Sequence, residues 1–373
     1  HGHRSQEHVY SISGGDDDSV LPGACRLTEV MSIEPPTADL IRSRWSLSPR
    51  STEAVIGISL DGPFAIDMRK DGPHGLIAGT TGAGKSELLQ SIVASLAVAN
   101  RPDGMTFVLV DYKGGAAFKD CVDLPHTVGM VTDLDTHLVE RALVSLGAEL
   151  NRREHMLAGA GAKDIEDYVD LQAKRPELAA MPRLLIVIDE FASLARELPD
   201  FVTGLVNIAQ RGRSLGIHLI LATQRPGGVV SPEIRANTNL RIALRVTDGS
   251  ESSDVIDSPE AGNISKSTPG RAYVRLGANS LVPFQSGRVG GRRPGVVSAD
   301  AAPPWISRID VAGLPQPVPV KPKVEATDDA EITDLTVLVE AIRTANDDLG
   351  LEPQHSPWLP SLTTEVTLDE LLG

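Results

Sequence analysis

Gly79-Thr80-Thr81-Gly82-Ala83-Gly84-Lys85-Ser86 has the spacing GxxxxGK[ST]. Glycines and small side chains let such a turn adopt unusual dihedral angles, so that successive backbone N–H groups converge on phosphate oxygens. Lys85 is then placed to bridge the β- and γ-phosphates of a nucleotide such as ATP, and the Ser86 hydroxyl to ligate Mg²⁺. The positive end of the following helix adds a favourable field for the anion. Expected nucleotide contacts run from Gly79 through Thr80, Thr81, Gly82, Ala83, Gly84, Lys85 and Ser86 to Glu87. With 34 glycines in the chain, short glycine motifs arise by chance, so context decides. This motif lies between an apolar strand pattern, HGLIAGT, and an amphipathic helical one, as a phosphate loop requires.

A phosphate grip that hydrolyses its ligand also needs acidic groups near the metal. Leu184-Leu185-Ile186-Val187-Ile188-Asp189-Glu190 ends an apolar strand pattern on two carboxylates. Asp189 suits Mg²⁺ held through its water shell, and Glu190 suits a general base that polarises the attacking water. The competing reading is that both merely cap the helix that follows. Thr223-Gln224-Arg225 ends another apolar run. If its strand runs parallel to the one before the phosphate loop, Gln224 can sense the γ-phosphate; otherwise it is an ordinary loop glutamine.

These residues need a sheet to bring them together. AVIGISL and PFAIDM, around an Asp61-Gly62 turn, predict a β-hairpin leading into HGLIAGT. Apolar β-rich runs at 106–112, 127–133, 183–190, 217–223 and 241–247 alternate with helical patterns. Strands apolar on both faces, with helices between them, indicate an α/β fold: a mostly parallel sheet with helices on both faces. GRAYVRLGANSLVPFQSGRV predicts a closing antiparallel hairpin. Residues 1–53 form a lead-in rich in Gly, Asp, Ser and Pro, with Val30, Ile33 and Trp45 available for local packing. The core is expected over 54–290. Residues 291–373 begin as a proline-rich linker, pass through a short amphipathic helix with Leu335, Leu338, Val339 and Ile342 on one stripe, and end in an extended tail.

A chain of 373 residues with 41% hydrophobic content can bury a large core. Its net charge of −15 opposes nonspecific attraction to nucleic acid and to anionic membrane surfaces. Cys25 and Cys121 are far apart without metal-type spacing, which predicts reduced thiols. No apolar run is long enough to span a bilayer, and no signal peptide opens the chain. The first residue is His1 rather than Met, so a fragment or processed chain is expected.

Taken with GTTGAGKS and VIDEFASL, the segments LVDYKGG, LPHTVGMVTD, ELNRREHMLAGAGAKDIEDY, RGRSLGIHLILATQRP, IRANTNLRIALRV and TPGRAYVRLG make residues 54–290 resemble the FtsK/SpoIIIE-type motor ATPases. The resemblance implies a RecA-like, additional-strand P-loop NTPase that binds ATP and Mg²⁺ and hydrolyses ATP at subunit interfaces of a hexameric ring. Within that family, Lys113-Gly114-Gly115 and Ser214-Leu215-Gly216-Ile217-His218 are more similar to the EccC/EssC proteins of type VII secretion than to the DNA translocases. That implies a cytoplasmic module of a cell-membrane protein, working with adjacent ATPase modules, other membrane components and secreted protein substrates. The resemblance places a trans-acting arginine at Arg213, with Arg211, Arg235 and Arg245 as rivals. Pro357-Trp358-Leu359-Pro360 and Thr367-Leu368-Asp369-Glu370-Leu371-Leu372 resemble an intermodule linker, which either occupies a groove on the ATPase and restrains it or is a loose tail with a few apolar anchors. Two other functions stay open: an FtsK-like DNA translocase, using basic residues such as Lys113 and Lys119, and a nucleotide-bound docking module with little intrinsic hydrolysis.

Overall fold

The computed structural model describes residues 20–48, 50–111, 117–132, 136–197, 199–228, 232–277, 280–294 and 332–358. Lys113-Gly114-Gly115 and the tail from Leu359, including Thr367 to Leu372, lie outside them.

In chain order, β1 (Cys25–Arg26), α1 (Leu27–Val30) and α2 (Ala38–Leu47) precede the hairpin β2 (Glu53–Ser59) and β3 (Gly62–Asp67). Then come β4 (His74–Ala78), α3 (Lys85–Ala99), β5 (Met105–Asp111), β6 (Thr127–Thr132), α4 (Thr136–Ala160), α5 (Ile165–Lys174) and β7 (Arg183–Asp189). They are followed by α6 (Phe191–Glu197), α7 (Pro199–Gly212), β8 (Ile217–Thr223), α8 (Pro232–Asn237), β9 (Leu240–Leu244) and α9 (Gly249–Ile256). The hairpin β10 (Arg271–Leu276) and β11 (Ser280–Arg288) and the helix α10 (Asp334–Asp348) complete the described chain.

The strands join one sheet in the order β3-β2-β11-β10-β9-β4-β8-β7-β5-β6, with β1 added beside β11. From β9 to β6 every neighbour is parallel; from β9 to β3 every neighbour is antiparallel. The reason is in the side chains. Every residue of β4, β5 and β8 is buried, and alternate residues of one strand serve different cores. On β7, Leu185 and Val187 pack with Ile92 and Leu96 of α3 on one face. Leu184, Ile186 and Ile188 pack with Phe191, Leu205 and Ile208 of α6 and α7 on the other. A strand buried on both faces cannot alternate apolar with polar, which is why these runs read as continuous apolar stretches.

The segments beyond the expected core boundaries pack on the α3 face. Ile33, Ile41 and Trp45 are fully buried there, and so are Leu335, Leu338 and Ile342 of α10; Val30 is half-buried. Arg26 donates to both carboxylate oxygens of Asp334, Nε at 2.8 Å and Nη2 at 2.6 Å, tying β1 to the first turn of α10. Among the described residues, no helix is long and apolar enough to cross a membrane.

Candidate active site

The phosphate loop is the connection from β4 to α3. Gly84 is the N-cap of α3, with φ 99° and no side-chain cap, so the helix presents unsatisfied N–H donors at its start. A Cβ at Gly84 would lie 2.8 Å from the Gly270 nitrogen as well as in a left-handed backbone, so two constraints demand glycine. Gly82 is also left-handed, at φ 74°. Neighbouring strands fix the loop from outside: Gly79 N–H donates to the Thr223 carbonyl at 3.1 Å and Thr80 N–H to the Arg245 carbonyl at 2.9 Å. Gly270 N–H donates to the Ala83 carbonyl at 2.8 Å.

Strand order assembles the acidic half. β8 lies between β4 and β7, so the strand leading to Lys85 and the strand ending at Asp189 are not neighbours; this extra strand is the expected additional one. Lys85 is only 5% exposed, and its ammonium forms an ion pair with the Asp189 carboxylate across the intervening strand. The Asp189 carboxylate also accepts the Glu190 N–H at 2.9 Å. Glu190, 3% exposed, sits at φ 61°, a conformation that side-chain-bearing residues rarely adopt. At the tip of β8, Gln224 accepts from the Thr81 hydroxyl at 3.2 Å. Lys85, Ser86, Asp189, Glu190 and Gln224 therefore meet at the carboxyl edge of the parallel sheet. Among the described residues, no group of three or more His, Cys, Asp or Glu side chains could hold a metal by itself. The donors present, a half-buried serine hydroxyl and one carboxylate, suit a Mg²⁺ that keeps waters and takes substrate phosphate oxygens.

Two of the expected residues keep their side chains away from this chain's own phosphate loop. The Glu87 carboxylate accepts the N–H groups of Val289, at 3.2 Å, and Gly290, at 3.0 Å, so its side chain anchors the segment after β11. Arg213 is exposed and precedes β8, at the opposite edge of the sheet from the phosphate loop. The seven residues of β8 separate it from Gln224, a rise of roughly 20 Å. Of its rivals, Arg211 pairs with Glu154 at 2.6 Å, Arg235 pairs with Asp257, and Arg245 donates to the Thr81 carbonyl at 3.2 Å within the same chain's loop. One acidic residue escaped the sequence reading. Asp111, 3% exposed, ends β5 in register with Asp189 and accepts the Ala117 N–H at 3.1 Å. The signal that finds Asp189, an apolar strand ending in an acid, is equally present in TFVLVD.

A loop of this geometry, paired through its lysine with an acid two strands away, defines the class of P-loop ATPase folds with an additional strand. The FtsK/SpoIIIE family pattern matches residues 42–228, and the chain belongs to that family. It is 38% identical over 367 residues to the type VII secretion system protein EssC of Staphylococcus aureus (strain Mu50), covering 95% of this chain and 24% of that protein. It is 36% identical over 337 residues to the ESX secretion system protein YukB of Bacillus subtilis (strain 168), covering 87% of this chain and 22% of that protein. The chain thus spans about a quarter of the length of these relatives. Among solved structures, the cytoplasmic domain of the Thermomonospora curvata type VII secretion ATPase EccC superposes with a TM-score of 0.76 at 32% identity, over 94% of this chain and 37% of that one.

Proposed function

We propose that this chain is an ATP-hydrolysing motor module of a type VII secretion system, coupling ATP turnover at subunit interfaces to protein export. The observation that carries the reading is the meeting of Lys85, Asp189, Glu190 and Gln224 at one strand edge, in a chain whose relatives are type VII secretion proteins. The residues from Gly79 to Ser86 hold the phosphates by backbone N–H groups, with Glu87 contributing only its backbone. Lys85 leaves Asp189 for the β- and γ-phosphate oxygens. Ser86 and Asp189 are the groups that would hold Mg²⁺, whose chemistry is to neutralise charge on those oxygens. Glu190 accepts the proton of the attacking water, and Gln224 registers the γ-phosphate through Thr81. Arg213, too far from its own loop, serves the site of a neighbour in a ring of copies. The module works on the cytoplasmic side of a membrane-anchored assembly, beside further ATPase modules and with secreted proteins as cargo.

The tail acts as a restraint on this module. Ser356 donates through its hydroxyl to the Val128 carbonyl at 2.6 Å, and His355 lies 3.3 Å from the buried Glu149 carboxylate. Trp358 covers Gly129 of β6 so closely that a Cβ there would lie 1.9 Å from its ring. Because α10 belongs to the core, the truncation that tests the tail begins after Leu351. In the ATPase assay, Glu190→Gln should retain ATP and lose turnover, Lys85→Ala should lose ATP itself, and truncation should raise the rate. Parental turnover by Glu190→Gln refutes Glu190 as the base, absence of ATP turnover in the assembled parent refutes the motor assignment, and an unchanged rate on truncation refutes the restraint. Tight, salt-sensitive DNA binding would favour a DNA motor instead.

A further inference from the structure

The phosphate loop has a second neighbour besides the acidic strand tips. A cleft of about 350 Å³ opens beside its crest, lined by Thr80, Thr81, Gln224, Arg225, Arg245 and Lys266. Its three cations come from three separate elements: the turn after β8, the end of β9 and the loop before β10. Each support is tied to the phosphate loop or to the strand beside it. The Arg245 carbonyl accepts from both the Thr80 N–H and the Thr80 hydroxyl, at 2.9 and 3.1 Å. The Arg225 N–H donates to the hydroxyl of buried Thr223 at 3.1 Å. The loop carrying Lys266 ends at Gly270, which is bonded to Ala83.

The charge balance here is unusual for this chain. Its acids outnumber its bases, 50 to 35, and its other arginines commonly have carboxylate partners, as Arg183 has Glu166 and Arg235 has Asp257. Among the described residues, no ion pair joins a carboxylate to Arg225, Arg245 or Lys266. Three like charges gathered at one cleft repel one another, and an anion in the cleft relieves that repulsion. With the α- and β-phosphates cradled by the loop at the start of α3 and Lys85 spanning β to γ, a phosphate reaching past Thr81 toward the tips of β8 and β9 would be the third one.

We propose that Arg225, Arg245 and Lys266 form a cationic cleft that contacts the terminal phosphate from within the same chain and makes the site select a nucleoside triphosphate over a diphosphate. This rests on the phosphate-loop reading above and deepens it by assigning selectivity to residues outside the loop. Arg245 has a second duty, since it also holds the Thr81 carbonyl; Arg225 and Lys266 do not share it and give the cleaner test.

The experiment is calorimetric titration of the full chain and of the Arg225→Ala/Lys266→Ala double variant with Mg²⁺-ATPγS and with Mg²⁺-ADP. The double variant should lose about tenfold or more in ATPγS affinity while its ADP affinity stays within about twofold of the parent. The charge-conserving pair Arg225→Lys/Lys266→Arg should keep most of the selectivity. Equal losses for both nucleotides, or an unchanged ratio, overturn the cleft while leaving the phosphate loop intact. A parent chain that binds neither nucleotide overturns the phosphate loop and the cleft together.

Discussion

Glu190 offers a test in which stability and activity should part. Among the described non-glycine residues, only Ser32, Glu190 and Asp257 have positive φ, and Glu190 alone of these lies at the phosphate edge. Its backbone is held at φ 61° because its N–H is committed to Asp189 while its carbonyl accepts the Ser193 N–H at 3.2 Å in the first turn of α6. A left-handed conformation costs a side-chain-bearing residue about 1–2 kcal/mol, and glycine escapes that cost but loses about 0.5–1 kcal/mol more backbone entropy on folding. Comparing Glu190→Gly with Glu190→Ala removes the carboxylate from both sides of the balance and leaves only the backbone. The glycine variant should therefore be the more stable by about 0.5–1 kcal/mol, read as a higher urea midpoint at unchanged slope. Both variants should lack ATP turnover. An alanine variant as stable as the glycine one would refute the strain assigned to this turn, and parental turnover by either would remove Glu190 as the base.

Three further outcomes are expected. Gly84→Ala should destabilise the fold by about 2 kcal/mol or more, because its Cβ would meet the Gly270 nitrogen in a left-handed backbone; parental stability on urea unfolding would contradict this. Arg213→Ala, at an exposed position, should alter stability by no more than about 0.5 kcal/mol. It should lower only the turnover that rises with protein concentration, and equal loss at every concentration would contradict a trans role. Acid should destabilise the chain well above the carboxylate range: burial pushes His74 and His126 down to about 4 and His218 to about 3. The unfolded chain protonates these rings as pH falls through about 6.5 while the native rings stay neutral, so stability drops until pH reaches the native values. Each ring should remove about 2 kcal/mol between pH 7 and 5, and a flat urea midpoint across that window would refute the assignment.

Most of the parallel strands were legible because burial on both faces removes polar residues from long runs, and β4, β5, β7 and β8 carry that mark. The phosphate loop was legible because its glycines answer to backbone geometry and its lysine to charge. Strand order was not legible: nothing local in IHLILAT says that it lies between the strands ending at Ala78 and Asp189. Asp111 was missed for the same reason, since its register with Asp189 exists only after β5 and β7 pair. Arg225 and Lys266 are 41 residues apart in sequence and share no motif; only the folded loops bring them to one cleft. The helical spacing of Leu335, Leu338, Val339 and Ile342 announced α10, but not that α3 and α2 would receive it.

The bidentate contact of Arg26 with Asp334 bears on how this protein is cut for experiment. A fragment trimmed to 54–290 keeps every residue of the phosphate edge yet discards Ile33, Ile41, Trp45 and the whole of α10. The outward side of α3 would then meet water along much of its length, and an oily flank of that kind invites self-association before any motor property is measured. Workable dissections keep the two sequence extremes of that staple on the same polypeptide.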